Sequence, residues 1–349
     1  MILTSYLRRQ VLKPFLLVSI TLSGIFAIYL LGRYLAQAAE GEIPARIVLK
    51  LVGWRLLIAQ EILLPVTFFF GVVFGMNRLF RKAEMLALFA CGFEEKDVFK
   101  SLLPVVLLVS LLVGLVSLIL RPLAWQNFFQ TKARFREKFD LARLKGGIFY
   151  KMPENRTFFA ERIDPHQREA FHIFLYQRED KSVKIIRARV CFQKSLPGKE
   201  ILVFKEGRQY EFQNEEGLIM ISEFESLNLP LPYPQRTREE KLKAFPSQKL
   251  LKLKTSGALA EIQWRLAAPL GALGLAFLGV SLSPSRPRQK GGRPFFLALL
   301  TFVFYFYGQV LLKKGVAQGQ IPPWPGIFWA PLALFFLSGF SFSLFWRKK

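Results

Sequence analysis

The chain is divided by apolar runs that are each about as long as a bilayer is thick. Residues 101–120 are the clearest case, carrying no charge and ending at Arg121-Pro122. At ~1.5 Å per residue, a helix of about 20 residues crosses a ~30 Å hydrocarbon core. Five further runs have this character: residues 14–32, 51–76, 262–283, 294–312 and 321–346. The run 51–76 is interrupted by Arg55 and Glu61, and the fourth is entered through Glu261 and Arg265. The basic start followed by run 14–32 also resembles a signal peptide, with AQAA around Ala36 as the nearest cleavage candidate. The run is long enough to span, and we take it as span 1.

Composition fits this layout only if polar residues are segregated. Hydrophobic residues make up 52 % of the chain and Phe occurs 36 times, yet 21 % of residues are charged. That combination describes a membrane protein with a sizeable water-facing part. The net charge of +24 raises the question of nucleic acid. The distribution of Lys and Arg argues against it, because they gather at the ends of the apolar runs. Two cysteines make no disulfide framework, and His166 and His172 have no metal-ligating cluster around them.

Six spans put both termini on one side. Arg8, Arg9, Lys13, Arg78, Arg81, Lys82, Lys96, Lys100, Arg286, Arg288, Lys290, Arg293 and the terminal Arg347, Lys348 and Lys349 share that side. The orientation rule makes it cytoplasmic. Residues 125–254 then lie outside. Turn signals there separate short alternating segments at 156–162, 170–177, 183–193, 200–204, 209–212 and 218–224. Strands without intervening helices mean an all-β sandwich or open barrel. The expected architecture is six transmembrane helices, three before and three after an inserted all-β domain. Its boundaries are 1–124, 125–254 and 255–349.

Two groups of residues are candidates for function. The first is the polar break 77–100, where Met85, Leu88 and Phe89 recur at helical spacing beside Arg78, Arg81 and Glu84. Cys91-Gly92 closes the periodic part. Such a helix, at about 78–92, either lies on the bilayer surface or docks into a groove on a soluble partner. The second group is the set of cations at the outer ends of spans: Arg33, Arg46, Lys50, Arg55, Arg121, Arg265, Lys313 and Lys314. They snorkel or pair, as Arg265 with Glu261 or Arg55 with Glu61, or they read an anionic ligand. Phe26, Phe302, Phe304 and Phe306 are candidate walls of an apolar cavity, and ordinary lipid-facing packing accounts for them equally well. Pro197-Gly198-Lys199-Glu200 lacks the upstream Gly and the hydroxyl of a P-loop. No H-E-x-x-H or nucleophile elbow occurs. The chain is therefore not expected to be an enzyme, and any energy for transport arrives from a partner.

Specific runs carry a family resemblance. They are R-Y-L-A-x-A-A-x-G from Arg33, E-M-L-A-L-F-A-C-G from Glu84 and E-I-Q-W-R-L-A-x-P-L from Glu261. With the order three spans, β domain, three spans, they resemble the LptF/LptG (YjgP/YjgQ) permeases, and the LptF side more than LptG. The resemblance implies a subunit of an inner-membrane lipopolysaccharide exporter in Gram-negative bacteria. Its implied partners are an LptG-like permease, an LptB-like ATPase dimer that holds ATP and Mg, an LptC-like jellyroll protein and an LptA-like bridge. The chain itself would carry no cofactor, and its β domain would be a periplasmic jellyroll. The stretch 77–100 matches the coupling helix, with Glu84 as the contact with the ATPase, and Arg33 matches a cation facing the lipid phosphates. Lys313 and Lys314 are assigned to the lipid by position alone. A lipid with about six acyl chains carries on the order of 70 CH2 groups, and at ~0.8 kcal/mol each full exposure to water costs roughly 55 kcal/mol. The route must therefore stay apolar. Three other classes stand beside this one: a mechanotransmission permease with an external domain, a membrane-anchored scaffold, and an integral membrane enzyme without visible catalytic groups.

Overall fold

The computed structural model describes residues 2–39, 43–136, 141, 144–152, 155–165, 167–178, 182–196, 199–213, 217–230, 238–253, 255–284 and 292–345. The cations Arg286, Arg288, Lys290 and Arg347 to Lys349 lie outside them. The chain divides into two compact units, one of Met1–Ala133 with Thr237–Lys349 and the other of Arg134–Arg236. The first holds the helices α1 (Ile2–Ala39), α2 (Val48–Arg81), α3 (Glu84–Ala90), α4 (Glu95–Leu115), α5 (Arg121–Arg136), α6 (Arg238–Ala244), α7 (Ser247–Lys252), α8 (Ser256–Leu282), α9 (Arg293–Ala317) and α10 (Trp329–Phe345). Among the described residues, six stretches are long and apolar enough to cross a membrane. Around the β domain, the connectors on both sides belong with the helices: α5 prolongs the third span, and Leu250 of α7 packs with Ala258 and Ile262 of α8.

α8 is the axis of the bundle. Ala268, Ala272 and Ala276 lie in one core with Val105, Val109 and Val113 of α4 and with Phe68, Val72 and Met76 of α2. Their small side chains let three helices approach closely. The Gly71/Gly75 pair serves α1 in the same way. A Cβ on Gly71 would stand 2.7 Å from the Phe15 Cα, and one on Gly75 would strike the Gln10 carbonyl. That carbonyl is free of the helix ladder because Pro14, four residues on, has no N–H to donate.

The helices outrun several of the expected spans, and at two boundaries proline sets the difference. The third span does not stop at Arg121-Pro122 but continues through a π turn, Val116–Leu120, into α5. The wider turn accommodates the proline ring, and the Ser247 hydroxyl donates to the Leu118 carbonyl that Pro122 leaves unbonded, at 2.8 Å. The last span begins later than residue 321, because Pro322, Pro323 and Pro325 hold off the helix until Trp329.

The second unit is one antiparallel sheet in the order β1 to β6: Phe149–Met152, Arg156–Asp164, Glu169–Arg178, Ser182–Leu196, Lys199–Gln213 and Gly217–Pro230. The expected strands 200–204 and 209–212 are two halves of β5. A crease runs across the sheet at this point. Glu161, His172, Arg189, Glu206 and Glu225 stand opposite one another in β2 to β6, and each is skipped by the ladder while its neighbours pair. His172 and Glu206 have φ of 51° and 52°. Inward parity flips at this row. Phe158 and Ala160 face the core before it and Ile163 after it; Ala170 before it and Ile173 after it; Ala188 before it and Cys191 after it. A bulge repeated in register in neighbouring strands bends the whole sheet, so both sides of the crease share one apolar core.

Candidate functional site

The polar break 77–100 forms α3, entered from α2 through Ala83 with φ 58°. Phe93 N–H donates to the Leu88 carbonyl and Gly92 N–H to that of Phe89, which closes the helix at a glycine with φ 85°. The apolar face does not point outward. Met85 has no exposed surface, and Leu88 and Phe89 pack against the same core of α1, α2, α4 and α8. What faces out is Leu86, Ala87, Ala90 and Cys91. Glu84 accepts a 2.5 Å hydrogen bond from the Tyr6 hydroxyl and lies 3.9 Å from the Lys82 ammonium. Arg78 and Arg81 are exposed and border a cavity with α1.

The cations at the other end of the spans separate into three kinds. Arg33 on α1 and Lys314 on α9 are exposed. Arg55 sits with its guanidinium 5.0 Å from the ring centres of both Trp125 and Phe128, and donates to the Tyr34 hydroxyl at 3.4 Å. Of the aromatic candidates, Phe304 is 69 % exposed. Phe306 stacks on Phe302, and Phe26 stacks on Tyr29.

Arg265 and Lys313 enter a buried ionic cluster together with Glu61, Arg121 and Glu261. The Arg121 guanidinium bridges the two acids, with Nε 2.8 Å from Glu61 and a terminal nitrogen 2.7 Å from Glu261. Glu261 also takes Arg265 Nε at 3.2 Å and Lys313 Nζ at 2.6 Å. Glu61 accepts from the Ser117 hydroxyl at 2.5 Å and from the Trp264 indole at 3.2 Å. Arg265 is fully buried, and its terminal nitrogens donate to the carbonyls of Leu242, Lys243 and Phe245 and to the Ser247 hydroxyl. Two carboxylates therefore neutralise two of three cations, and every group is held by hydrogen bonds, as buried charge requires. The cluster ties α2, the π turn, α8 and α9 to the α6–α7 connector. Arg265 is wholly engaged by protein, so among the phosphate-reader candidates it has no donor facing a ligand. The pair Arg265–Glu261 was visible as an i,i+4 spacing. Glu61 goes to Arg121 rather than to Arg55, a contact that depends on the helix continuing past Pro122.

Comparison with known proteins fits this architecture. A family model described as lipopolysaccharide export system permease LptF/LptG matches residues 5–347. The lipopolysaccharide export system permease protein LptF of Escherichia coli K12 is 22 % identical over 332 residues, which cover 93 % of this chain and 89 % of that protein. The protein of the same name from Shigella flexneri matches with the same identity and coverage. With six spans, an inserted antiparallel sheet and a match over almost its whole length, the chain belongs to the LptF/LptG family of lipopolysaccharide export permeases.

Proposed function

We propose that the chain is one permease subunit of an ATP-driven exporter that takes lipopolysaccharide from the outer leaflet of the inner membrane and passes it to a periplasmic β-jellyroll bridge. The family match over residues 5–347 carries this reading. The distribution of burial supports it. In the spans of α1 and α9 only 11 % of the apolar window is buried within the chain, against 61 % for α8. On α9 the exposed Phe296, Leu300, Phe304, Tyr307 and Leu311 form one stripe at spacings of three and four. These two helices are the faces left for a second permease, with an apolar lipid cavity between the subunits. Arg33 and Lys314 lie at their outer ends, where lipid phosphates arrive. Phe26, Phe304 and Phe306 line the route, and Lys313, which Glu261 holds, stands behind Lys314.

The ATPase is a separate subunit on the side of the termini. It meets Glu84 and the exposed face of α3, while Met85, Leu88 and Phe89 anchor that helix to the bundle. Movement of α3 is then transmitted into the core that α1, α2, α4 and α8 share. Affinity purification of this chain from its native membrane, followed by mass spectrometry of bound protein and lipid, tests the proposal. A second LptF/LptG-type permease, a nucleotide-binding subunit and lipopolysaccharide recovered together support it. Recovery of the chain alone with ordinary phospholipid would overturn it in favour of an anchored scaffold.

A further inference from the structure

A cavity of about 710 Å³ lies between residues 10–18 of α1 and the last turns of α2, toward the N-terminal face of the bundle. The close contact of Gly75 with the Gln10 carbonyl borders it. Its lining changes character with depth. α1 runs inward and α2 runs outward, so Leu17 and Phe74 each lie four residues, ~6 Å, deeper than Lys13 and Arg78. The deep wall, of Pro14, Leu17, Val18 and Phe74, is apolar, and the rim carries Lys13, Arg78, Arg81 and Lys82. Among the described residues, no carboxylate lines the cavity. Glu84, which reaches Lys82, is held by Tyr6 as well.

Four cations above a greasy pocket are complementary to an anion that carries an acyl chain. We propose that this cavity binds an anionic phospholipid of the leaflet on the N-terminal face. The phosphate sits among Lys13, Arg78 and Arg81, and an acyl chain lies against Leu17, Val18 and Phe74. The site is separate from the route proposed for the exported lipid, because Arg33 stands 20 residues beyond Lys13 on the same helix, ~30 Å away at the opposite membrane face. Arg78 and Arg81 immediately precede α3, so a bound lipid also braces the base of that helix. Basic pockets between spans are a known way to hold anionic headgroups.

The test uses the full chain with its co-purifying subunits, stripped of lipid in detergent. Phosphatidylglycerol, phosphatidylcholine and inorganic phosphate are titrated, with bound lipid read by native mass spectrometry and folding by thermal midpoint. Phosphatidylglycerol should bind at least roughly tenfold more tightly than phosphatidylcholine. Arg78→Gln with Arg81→Gln should lose that preference, whereas Arg9→Gln with Lys96→Gln, equal in charge but away from the cavity, should keep it. Leu17→Trp fills the deep wall from an exposed position and should expel the lipid in a folded protein, so the proposal stays testable even if the double Arg variant fails to fold. Equal binding of the two lipids, or equal loss in both double variants, overturns the proposal. Binding that survives Leu17→Trp and is displaced by inorganic phosphate also overturns it, in favour of a free-phosphate site. Phosphatidylglycerol that fails to bind while a subunit's acidic segment crosslinks to Arg81 overturns it in favour of a protein contact.

Discussion

Arg121 touches both carboxylates of the buried cluster, and its replacement leaves Glu61 without a cation. Removing one partner of a buried ion pair leaves an uncompensated charge and costs about 3–5 kcal/mol. Arg121→Met should therefore lower the thermal midpoint of the purified chain steeply, and adding Glu61→Gln to it should recover part of the loss. A midpoint unchanged by Arg121→Met would mean that the cluster contributes nothing to stability. At the exposed cation Arg33 the expectation is the reverse. Arg33→Glu should leave the midpoint unchanged and reduce retained lipopolysaccharide by roughly tenfold or more, as expected for a lost charge-assisted phosphate contact; undiminished retention would leave Arg33 as a snorkelling residue. The two thiols also differ by environment. Burial pushes the Cys191 thiol up from its ordinary range, so it stays protonated wherever the fold is intact, while Cys91 is exposed. A maleimide at about pH 8 should label Cys91 alone until the sheet unfolds. Early labelling of Cys191 would contradict its burial.

At the scale of elements, the turn between α4 and α5 joins stability to shape. Pro122 frees the Leu118 carbonyl, Ser247 bonds to it, and Arg265 donates to Ser247. Ser247→Ala removes both contacts and should cost about 1–3 kcal/mol, with Ser247→Thr, which keeps the hydroxyl, retaining most of it. If Ala and Thr behave alike, the hydroxyl is not what holds the connector to the bundle. This turn also marks the limit of what the sequence discloses. The apolar runs were legible because hydrocarbon demands them, and Gly71 and Gly75 because only close helix packing calls for small residues at that spacing. The Arg-Pro pair at residue 121 reads locally as a stop, and the groups that hold the continuation, Ser247, Glu61 and Glu261, are far away in sequence. The same holds for α3. The spacing of Met85, Leu88 and Phe89 announces an apolar face and not which surface covers it; the structure covers it with the bundle's own core. In the sheet, the charged residues at the crease look like turns, so β5 reads as two strands until the partners in β4 and β6 set the register.

At the scale of the molecule, the bundle is finished on one side and unfinished on another. α8 is enclosed by α2, α4, α9 and α10, whereas α1 and α9 expose apolar stripes along most of their length. On the function proposed above, a chain with two such helices supplies half of a lipid-handling cavity, and its family membership names the cargo class. If the proposed function holds, α1 and α9 line the route of lipopolysaccharide. The direct measurement places a photoreactive amino acid at Phe26, at Phe304 and, as control, at Leu111, which is 73 % exposed on α4. The complex is irradiated in native membranes and the adducts are probed for lipopolysaccharide. Lipopolysaccharide adducts should form at Phe26 and Phe304, with a yield that responds to ATP, and only phospholipid adducts at Leu111. Equal lipopolysaccharide yield at all three positions, or phospholipid alone at Phe26 and Phe304, would contradict it.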